Sequence, residues 1–278
     1  MRRQSVRLLH DQLTREQVLD SLDRFRTAPD ALVLKRGGHA EIVRVPLPGP
    51  CRSVVVRRYN LQTTKARLEH LVRMDKAARM LRASPRVARA GIRTPRIHAR
   101  VAEGPPCRRH HVSLVCEDIA GCLPLPLYYP NLEPARRTPF LKAAITFLRH
   151  VHDAGLYMTD MVKNIEVATP RAHDGWEFWF FDLDKVYQRP GLHLRRRRRD
   201  VVRLLQYAAV SDRAVITALR EQYVRKPLRP LWRRTGPTAE RWLSIDALAE
   251  QAAHTRSMPS PSAKPRLFLA SATDNSVR

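Results

Sequence analysis

Three polar side chains on two short, mostly apolar stretches could do chemistry in this chain. Asp160 and Asn164 lie in the segment 156–167, and Asp182 ends the aromatic run Phe178-Trp179-Phe180-Phe181. A loop carboxylate can orient a hydroxyl and accept its proton. A carboxylate and an amide oxygen together can hold a hard cation such as magnesium. Asp160 and Asn164 suit an ordinary loop equally well, because both are turn-forming side chains. Asp184, two residues past Asp182, competes with it as a cation ligand. Upstream, Lys35-Arg36-Gly37-Gly38-His39-Ala40 joins a cation to two glycines. Glycines let backbone N–H groups approach phosphate oxygens, although a plain hairpin turn also explains them.

Positioning these residues takes a sheet and several helices. Thr14-Arg15-Glu16-Gln17 reads as a capping box opening a helix, with Val18, Leu19, Leu22 and Phe25 at helical spacing and an end before Pro29. From Ala31 the pattern turns to β, with strands over 31–35, 41–45 and 53–59 around a Gly-Gly and a Pro/Gly turn. One helix is predicted from about Thr63 to Arg82, then a strand pair ending at Ser113-Leu114-Val115-Cys116-Glu117. Past a Pro-rich stretch, 124–139, helices dominate, and Phe140, Ala144, Leu148 and Val151 form an apolar line. Trp176, Phe178, Trp179 and Phe180 read as the core of the strand before Asp182. Another helix begins near Asp200 and carries Val201, Leu204, Leu205 and Ala208. The expected division is a helical extension over 1–30, a sheet lobe over 31–120, a helical lobe over 121–254 and a disordered tail over 255–278.

The 278 residues are 44% hydrophobic, enough to bury a core. No apolar run reaches a membrane span, and the opening Met1-Arg2-Arg3-Gln4-Ser5 lacks the apolar stretch of a signal peptide, so a cytoplasmic protein is expected. Cys51, Cys107, Cys116 and Cys122 form no CxxC pair and no dense scaffold, and are read as reduced core thiols. The formal charge is +25, from 51 Lys+Arg against 26 Asp+Glu. An anionic neighbour is expected, and nucleic acid, a membrane surface or a phosphorylated substrate would each fit. Of the 51 cations 43 are Arg, a ratio that GC-rich coding alone can produce. Arg195 to Arg199 precedes the helix expected at Asp200, where the dipole disfavours cations. The run is read as solvated charge, or as a contact for substrate phosphates or anionic headgroups.

The order of parts, a glycine-bearing hairpin, a strand with a cation, a helix, a linker, a helix, an acidic loop and an acidic strand end, resembles the protein kinase fold. The wording is closer to the lipopolysaccharide kinase (Kdo/heptose kinase) family. It is carried by Val55-Val56-Arg57-Arg58-Tyr59, Gly91-Ile92-Arg93-Thr94-Pro95 and Val151-His152-Asp153-Ala154-Gly155-Leu156-Tyr157. Phe181-Asp182-Leu183-Asp184-Lys185-Val186 and Arg199-Asp200-Val201-Val202-Arg203-Leu204-Leu205 continue it, so that the resemblance covers 31–208.

The resemblance implies a bilobal α+β fold, with ATP between an antiparallel sheet lobe carrying one long helix and a mainly helical lobe. It places Asp160 as the aspartate facing the acceptor hydroxyl, Asn164 and Asp182 as magnesium ligands, and Asp184 as support. Gly37 and Gly38 would cover the phosphates. The implied reaction moves the γ-phosphoryl group to a hydroxyl of a lipopolysaccharide inner-core sugar, carried on a lipid at the cytoplasmic face of the inner membrane. Nucleotide, lipid-linked sugar and, peripherally, an anionic membrane are then the partners, and nucleic acid is not. The chain departs from the family pattern in four places. Arg57 stands where a lysine holds the phosphates, and Lys35 could supply that charge from the other side, as in with-no-lysine kinases. The partner acid on the helix is assigned to Asp75, on one stripe with Leu68, Leu71 and Val72 and within reach of Arg57. Met158 and Thr159 replace the usual His and Arg, and Asn164 follows Asp160 by four residues where kinases use about five. A pseudokinase or protein kinase of the same fold stays open as an alternative, as does a basic RNA-binding protein.

Overall fold

The structure is a computed structural model that describes residues 4–224, apart from 11, 38–39, 49–52, 62, 73, 105–110, 120, 169–174, 189–193 and 211. Gly38, Cys51, Cys107 and the tail from Thr255 lie outside the described residues. Two compact units separate, one from Met1–Leu81 and Pro95–Gly121, the other from Arg82–Thr94 and Cys122–Pro259.

The first unit is a six-stranded antiparallel sheet built from β1 (Gln4–Leu8), β2 (Leu32–Gly37), β3 (Ala40–Pro46), β4 (Ser53–Asn60), β5 (Ile97–Glu103) and β6 (His111–Glu117). Their spatial order is β1-β5-β6-β4-β3-β2. Residues 1–30 are therefore more than a helical extension, because Gln4–Leu8 adds an edge strand paired with β5. Helix α1 (Arg15–Thr27) opens on the expected capping box, with the Thr14 amide donating to Gln17 Oε1 at 2.9 Å and the Gln17 amide to Thr14 Oγ1 at 3.3 Å. It packs Val18 and Leu22 on one sheet face, against Val43, Val45, Val54, Val56, Ala99, Val101 and Val115. Side chains alternate along a strand. Val55, Arg57 and Tyr59 therefore point to the opposite face, where register sets them beside Cys116, Leu114 and Val112.

The long helix expected over 63–82 is two helices, α2 (Thr64–Leu71) and α3 (Lys76–Arg89). The break has a local cause. Asp75 caps α3, its Oδ1 accepting from the Ala78 amide at 2.9 Å, and this needs a non-helical residue just where the periodic pattern continues. From there α3 runs past the expected end through Pro85 to Arg89. On the sheet face opposite α1, the Tyr59 hydroxyl donates to Met80 Sδ at 2.9 Å.

The second unit is mainly helical. The Pro-rich stretch folds into β7 (Leu123–Pro124), α4 (Leu125–Tyr128), a 3-10 turn and the start of α5 (Pro134–Asp153). Phe140, Ala144, Leu148 and Val151 are all buried, so the expected apolar line is the core face of α5. Short strands β8 (Leu156–Tyr157), β9 (Ile165–Ala168), β10 (Glu177–Phe180) and β11 (Tyr187–Gln188) lead to α6 (Leu194–Tyr207) and α7 (Arg213–Val224). Phe178 and Phe180 are buried while Trp179 is half-buried beneath Arg93, the alternation of a strand with one covered face. Val201, Leu204, Leu205 and Ala208 are buried as expected. The helix begins earlier than expected, so Arg195 to Arg199 stands inside α6 and not before it.

Candidate active site

Two loops of the second unit bring Asp160, Asn164 and Asp182 together. β9 pairs with β10 from Ala168–Glu177 to Ile165–Phe180, and β8 pairs with β11 through Tyr157–Tyr187 and Leu156–Gln188. The segments between these pairings, 158–164 and 181–186, are thereby held side by side. Met158, Met161, Val162 and Ile165 are buried and anchor the first loop, leaving Asp160 and Asn164 half-exposed. Asn164 Nδ2 donates to the Asp160 carbonyl at 2.8 Å, which leaves its Oδ1 as the atom available to a cation. Its own carbonyl accepts from the Phe181 amide at 2.9 Å, fastening the first loop to the residue before Asp182.

Asp182 is held at φ 58°, ψ 48°. Left-handed backbone at a non-glycine residue costs on the order of 1 kcal/mol or more and persists where the surroundings impose it, commonly at functional sites. The conformation turns the chain between β10 and the 3-10 turn Leu183–Lys185, where Asp184 is buried and Asp182 half-exposed. Accessibility therefore separates the two acids in favour of Asp182. The donor set, one accessible carboxylate and one amide oxygen, suits magnesium, which is held by one or two protein oxygens together with substrate phosphates. Among the described residues no group of three or more His, Cys, Asp or Glu side chains forms a metal cage.

Helix α6 supplies residues that reading the sequence missed. Arg203 Nη1 bonds Asp160 Oδ1 at 2.8 Å and also the Thr159 carbonyl. Arg199 Nη2 donates to the Met158 carbonyl at 3.4 Å, and Arg196 stacks on Tyr157 with its guanidinium carbon 4.0 Å from the ring centroid. Arg197 Nη2 donates to the His152 carbonyl at 3.0 Å and Nη1 to Asp153 Oδ1 at 2.8 Å. Arg196, Arg197, Arg199 and Arg203 thus fasten the chain from His152 to Asp160, and solvated charge does not describe the three of them that belong to the run. Arginines from α6 take up the carbonyls of the two positions where Met158 and Thr159 replace the usual His and Arg. The spacing Arg196, Arg199, Arg203 at i, i+3, i+7 marks one helix face and was the available signal.

Beneath the loop lies a buried polar network. His152 and Asp200 are both fully buried, with His152 Nε2 3.3 Å from Asp200 Oδ2 and Nδ1 2.7 Å from the Tyr223 hydroxyl. A neutral imidazole satisfies both contacts if Nε2–H donates to Asp200 and Nδ1 accepts from Tyr223. Burial lowers the pKa of His152 and outweighs the opposing bond and charge of Asp200. Burial likewise raises that of Tyr223, keeping its proton available for donation. Asp153 would be raised by burial, but bonds from Arg197 and from Arg149 Nε, at 2.7 Å, leave it lowered.

Both lowered groups give the same sign. Their stabilising contribution is complete above the unfolded value, 6.5 for His152 and 3.8 for Asp153, and is lost as pH falls through the lower folded values. The thermal midpoint should therefore hold near neutral pH, fall progressively as the medium is acidified below the ordinary histidine range, and fall again in the acid range of Asp153. Thermal denaturation across pH tests this. A His152→Gln variant should flatten the first decline, and an unchanged slope in that variant would assign the decline to other groups.

In the first unit, Lys35 is exposed on β2 beside a register shift between Val33 and Lys35. Gly37 pairs with Ala40, and a Cβ added at Gly37 would meet the Ala40 carbonyl at 3.9 Å, an ordinary contact, so position 37 does not demand glycine. Arg57 is half-buried on β4 opposite Leu114, and its charge opposes the burial that lifts the Cys116 thiol to about 11. That thiol is a core group, as expected.

Asp75 corrects the expected pairing. It is buried, but its partners are His70 Nδ1 at 2.8 Å, the Ala78 amide and, at 3.9 Å, Arg100. Arg57 and Arg100 flank Leu114 on the same face, and the arginine that reaches Asp75 is Arg100. The helix break after α2 moves Asp75 off the stripe projected from Leu68. Helix α3, Lys-Ala-Ala-Arg-Met-Leu-Arg-Ala-Ser-Pro-Arg-Val-Ala-Arg, carries no acid at all.

Comparison with known proteins bears on the fold and on the family. Among solved structures, one described as "WaaP in complex with acyl carrier protein" is similar over 89% of this chain and 99% of its own, with a TM-score of 0.59 at 19% identity. That likeness establishes the protein-kinase-like fold. No curated protein sequence matches. The model of the lipopolysaccharide kinase (Kdo/WaaP) family matches residues 52–226, well over half of the chain and inclusive of Asp160, Asn164, Asp182 and Arg203. The chain therefore belongs to the lipopolysaccharide kinase (Kdo/WaaP) family.

Proposed function

We propose that this kinase transfers the γ-phosphoryl group of ATP to a hydroxyl of an inner-core sugar of lipopolysaccharide, of Kdo or heptose type, carried on a lipid at the cytoplasmic face of the inner membrane. The observation that supports this best is the joining of the two acidic loops. The Phe181 amide binds the Asn164 carbonyl, Asn164 binds the Asp160 carbonyl, and Asp182 follows in a left-handed conformation. Asp160 orients the acceptor hydroxyl and takes its proton as the new O–P bond forms. Magnesium, when bound, neutralises phosphate charge, and Asp182 and Asn164 Oδ1 are the groups that would hold it. Arg203 keeps the Asp160 carboxylate from turning away from the acceptor.

Nucleotide phosphates would be met in the first unit by Arg57 or Lys35, with Gly37 and Gly38 letting backbone N–H groups approach them. Asp75 has the weakest claim to the nucleotide, since it is buried with His70 and caps α3. The RNA-binding alternative loses support because Arg196, Arg197, Arg199 and Arg203 are engaged within the protein.

Magnesium-dependent ATP binding, measured by calorimetry, tests the reading. Asp182→Ala should abolish the magnesium dependence. Arg57→Ala should weaken binding about tenfold or more if Arg57 serves the phosphates, with Lys35→Ala mild, and the order reverses if Lys35 has taken the role. Full binding in both variants would remove both cations from the site. Salt-sensitive RNA binding with no response to ATP would overturn the whole reading.

A further inference from the structure

We propose that α2 docks this protein onto an anionic membrane surface through Leu68, Leu71, Val72 and Met74. A helix on a globular protein ordinarily buries its apolar stripe and exposes its polar one. Here the relation is inverted. Leu68, Leu71, Val72 and Met74 are 62%, 59%, 57% and 54% exposed, while His70 and Asp75 are buried and bonded to each other at 2.8 Å. The buried His70–Asp75 hydrogen bond anchors the segment from within and leaves its large apolar side chains outward.

Leu68, Leu71 and Val72 recur at i, i+3 and i+4, so they form one continuous strip, and Met74 extends it past the helix end. They are four of the nine large hydrophobic residues found exposed among the described residues, gathered within seven positions. Exposed Lys65 and Arg67 stand at the start of the same helix, and Lys76 and Arg79 follow the strip, with Glu69 the one acid on α2. An apolar strip bordered by cations, on a chain of formal charge +25, is complementary to anionic headgroups over acyl chains. A second copy of the chain would match the apolar strip but would bring the same cations against one another. No helix among the described residues is long and apolar enough to cross a membrane, so the contact is with the interface.

This proposal adds to the proposed reaction a surface for the membrane that carries the acceptor, and it rests in that respect on that reading. Lipid binding is measured without nucleotide, so either can fail alone. The full chain is sedimented with vesicles of phosphatidylethanolamine and phosphatidylglycerol, and with vesicles of phosphatidylcholine. Wild type should bind the anionic vesicles, and Leu68→Ser/Leu71→Ser/Met74→Ser should lose binding at least tenfold while keeping the circular dichroism and thermal midpoint of wild type. Lys65→Gln should bind more weakly than wild type at low salt. Should the triple variant misfold, Leu71→Ser and Met74→Ser alone should each weaken binding measurably. Undiminished binding by the folded variants, no binding by wild type, or equal binding to neutral and anionic vesicles would overturn the proposal. So would a lipid-free dimer that the triple substitution converts to a monomer, because the strip would then be covered by a second copy.

Discussion

Asp160→Asn should cut phosphoryl transfer by about 10²–10⁴-fold while leaving nucleotide affinity within a few-fold, the range expected when a general base is removed and binding is spared. Asparagine keeps the size of the side chain and can still accept from Arg203, so the loop should stay in place. The loss should fall on kcat. Arg203 acts on the same group at one remove, holding Asp160 Oδ1 at 2.8 Å with both side chains partly exposed. An ion pair so exposed contributes at most about 1 kcal/mol to stability, so Arg203→Ala should leave folding nearly untouched. Its cost should appear as a kcat loss of about tenfold from a less well-held carboxylate. Arg203→Lys should recover part of it, because both contacts come from the one nitrogen Nη1 and an ammonium can donate to Asp160 and the Thr159 carbonyl only where its shorter side chain brings it to the same point. Equal turnover by wild type and Asp160→Asn would remove Asp160 from the mechanism and leave the Arg203 contact a surface ion pair.

The largest stability effect should come from Asp153→Ala. Asp153 joins Arg149 of α5 at 2.7 Å to Arg197 of α6 at 2.8 Å, and the two arginine side chains are only 9% and 5% exposed. Removing the carboxylate leaves two buried cations without it, which costs about 3–5 kcal/mol in comparable buried pairs. Arg197 also holds the His152 carbonyl, so the damage should reach the chain leading to Asp160. Asp153→Asn, which keeps an acceptor but not the charge, should fall between. Chemical denaturation of the three proteins decides the matter. A change of less than about 1 kcal/mol in Asp153→Ala would mean that the arginines are satisfied without it.

How much of this was legible beforehand varies with the range of the interaction involved. The capping box at Thr14 and Gln17, the alternating strands and the apolar line on α5 follow from local rules, and each is present. Asp160, Asn164 and Asp182 were legible as polar side chains of two loops, and the strand pairings hold those loops side by side.

What periodicity could not show was where a pattern stops. The stripe through Leu68, Leu71 and Val72 continues numerically to Asp75. The chain breaks there, where Asp75 caps α3 and bonds His70, and its partners are His70 and Arg100 in place of the expected Arg57. Strand β1 was hidden for a similar reason, since Gln4–Leu8 alternates weakly and is fixed only by its partner β5. The arginine run was misread because a cation looks the same in sequence whether water or a buried carboxylate receives it. Arg197, 4% exposed, needed Asp153 and His152 to be seen in place.

The most direct test of the central claim is transfer of labelled phosphate from γ-labelled ATP to deacylated lipopolysaccharide core acceptors, with magnesium and with wild type, Asp160→Asn and Asp182→Ala run side by side. The account predicts label on a sugar hydroxyl with wild type, dependent on magnesium, and near-background label with either variant although both remain folded. Label transferred equally by all three, or ATP bound by wild type with no transfer to any core sugar, would contradict it.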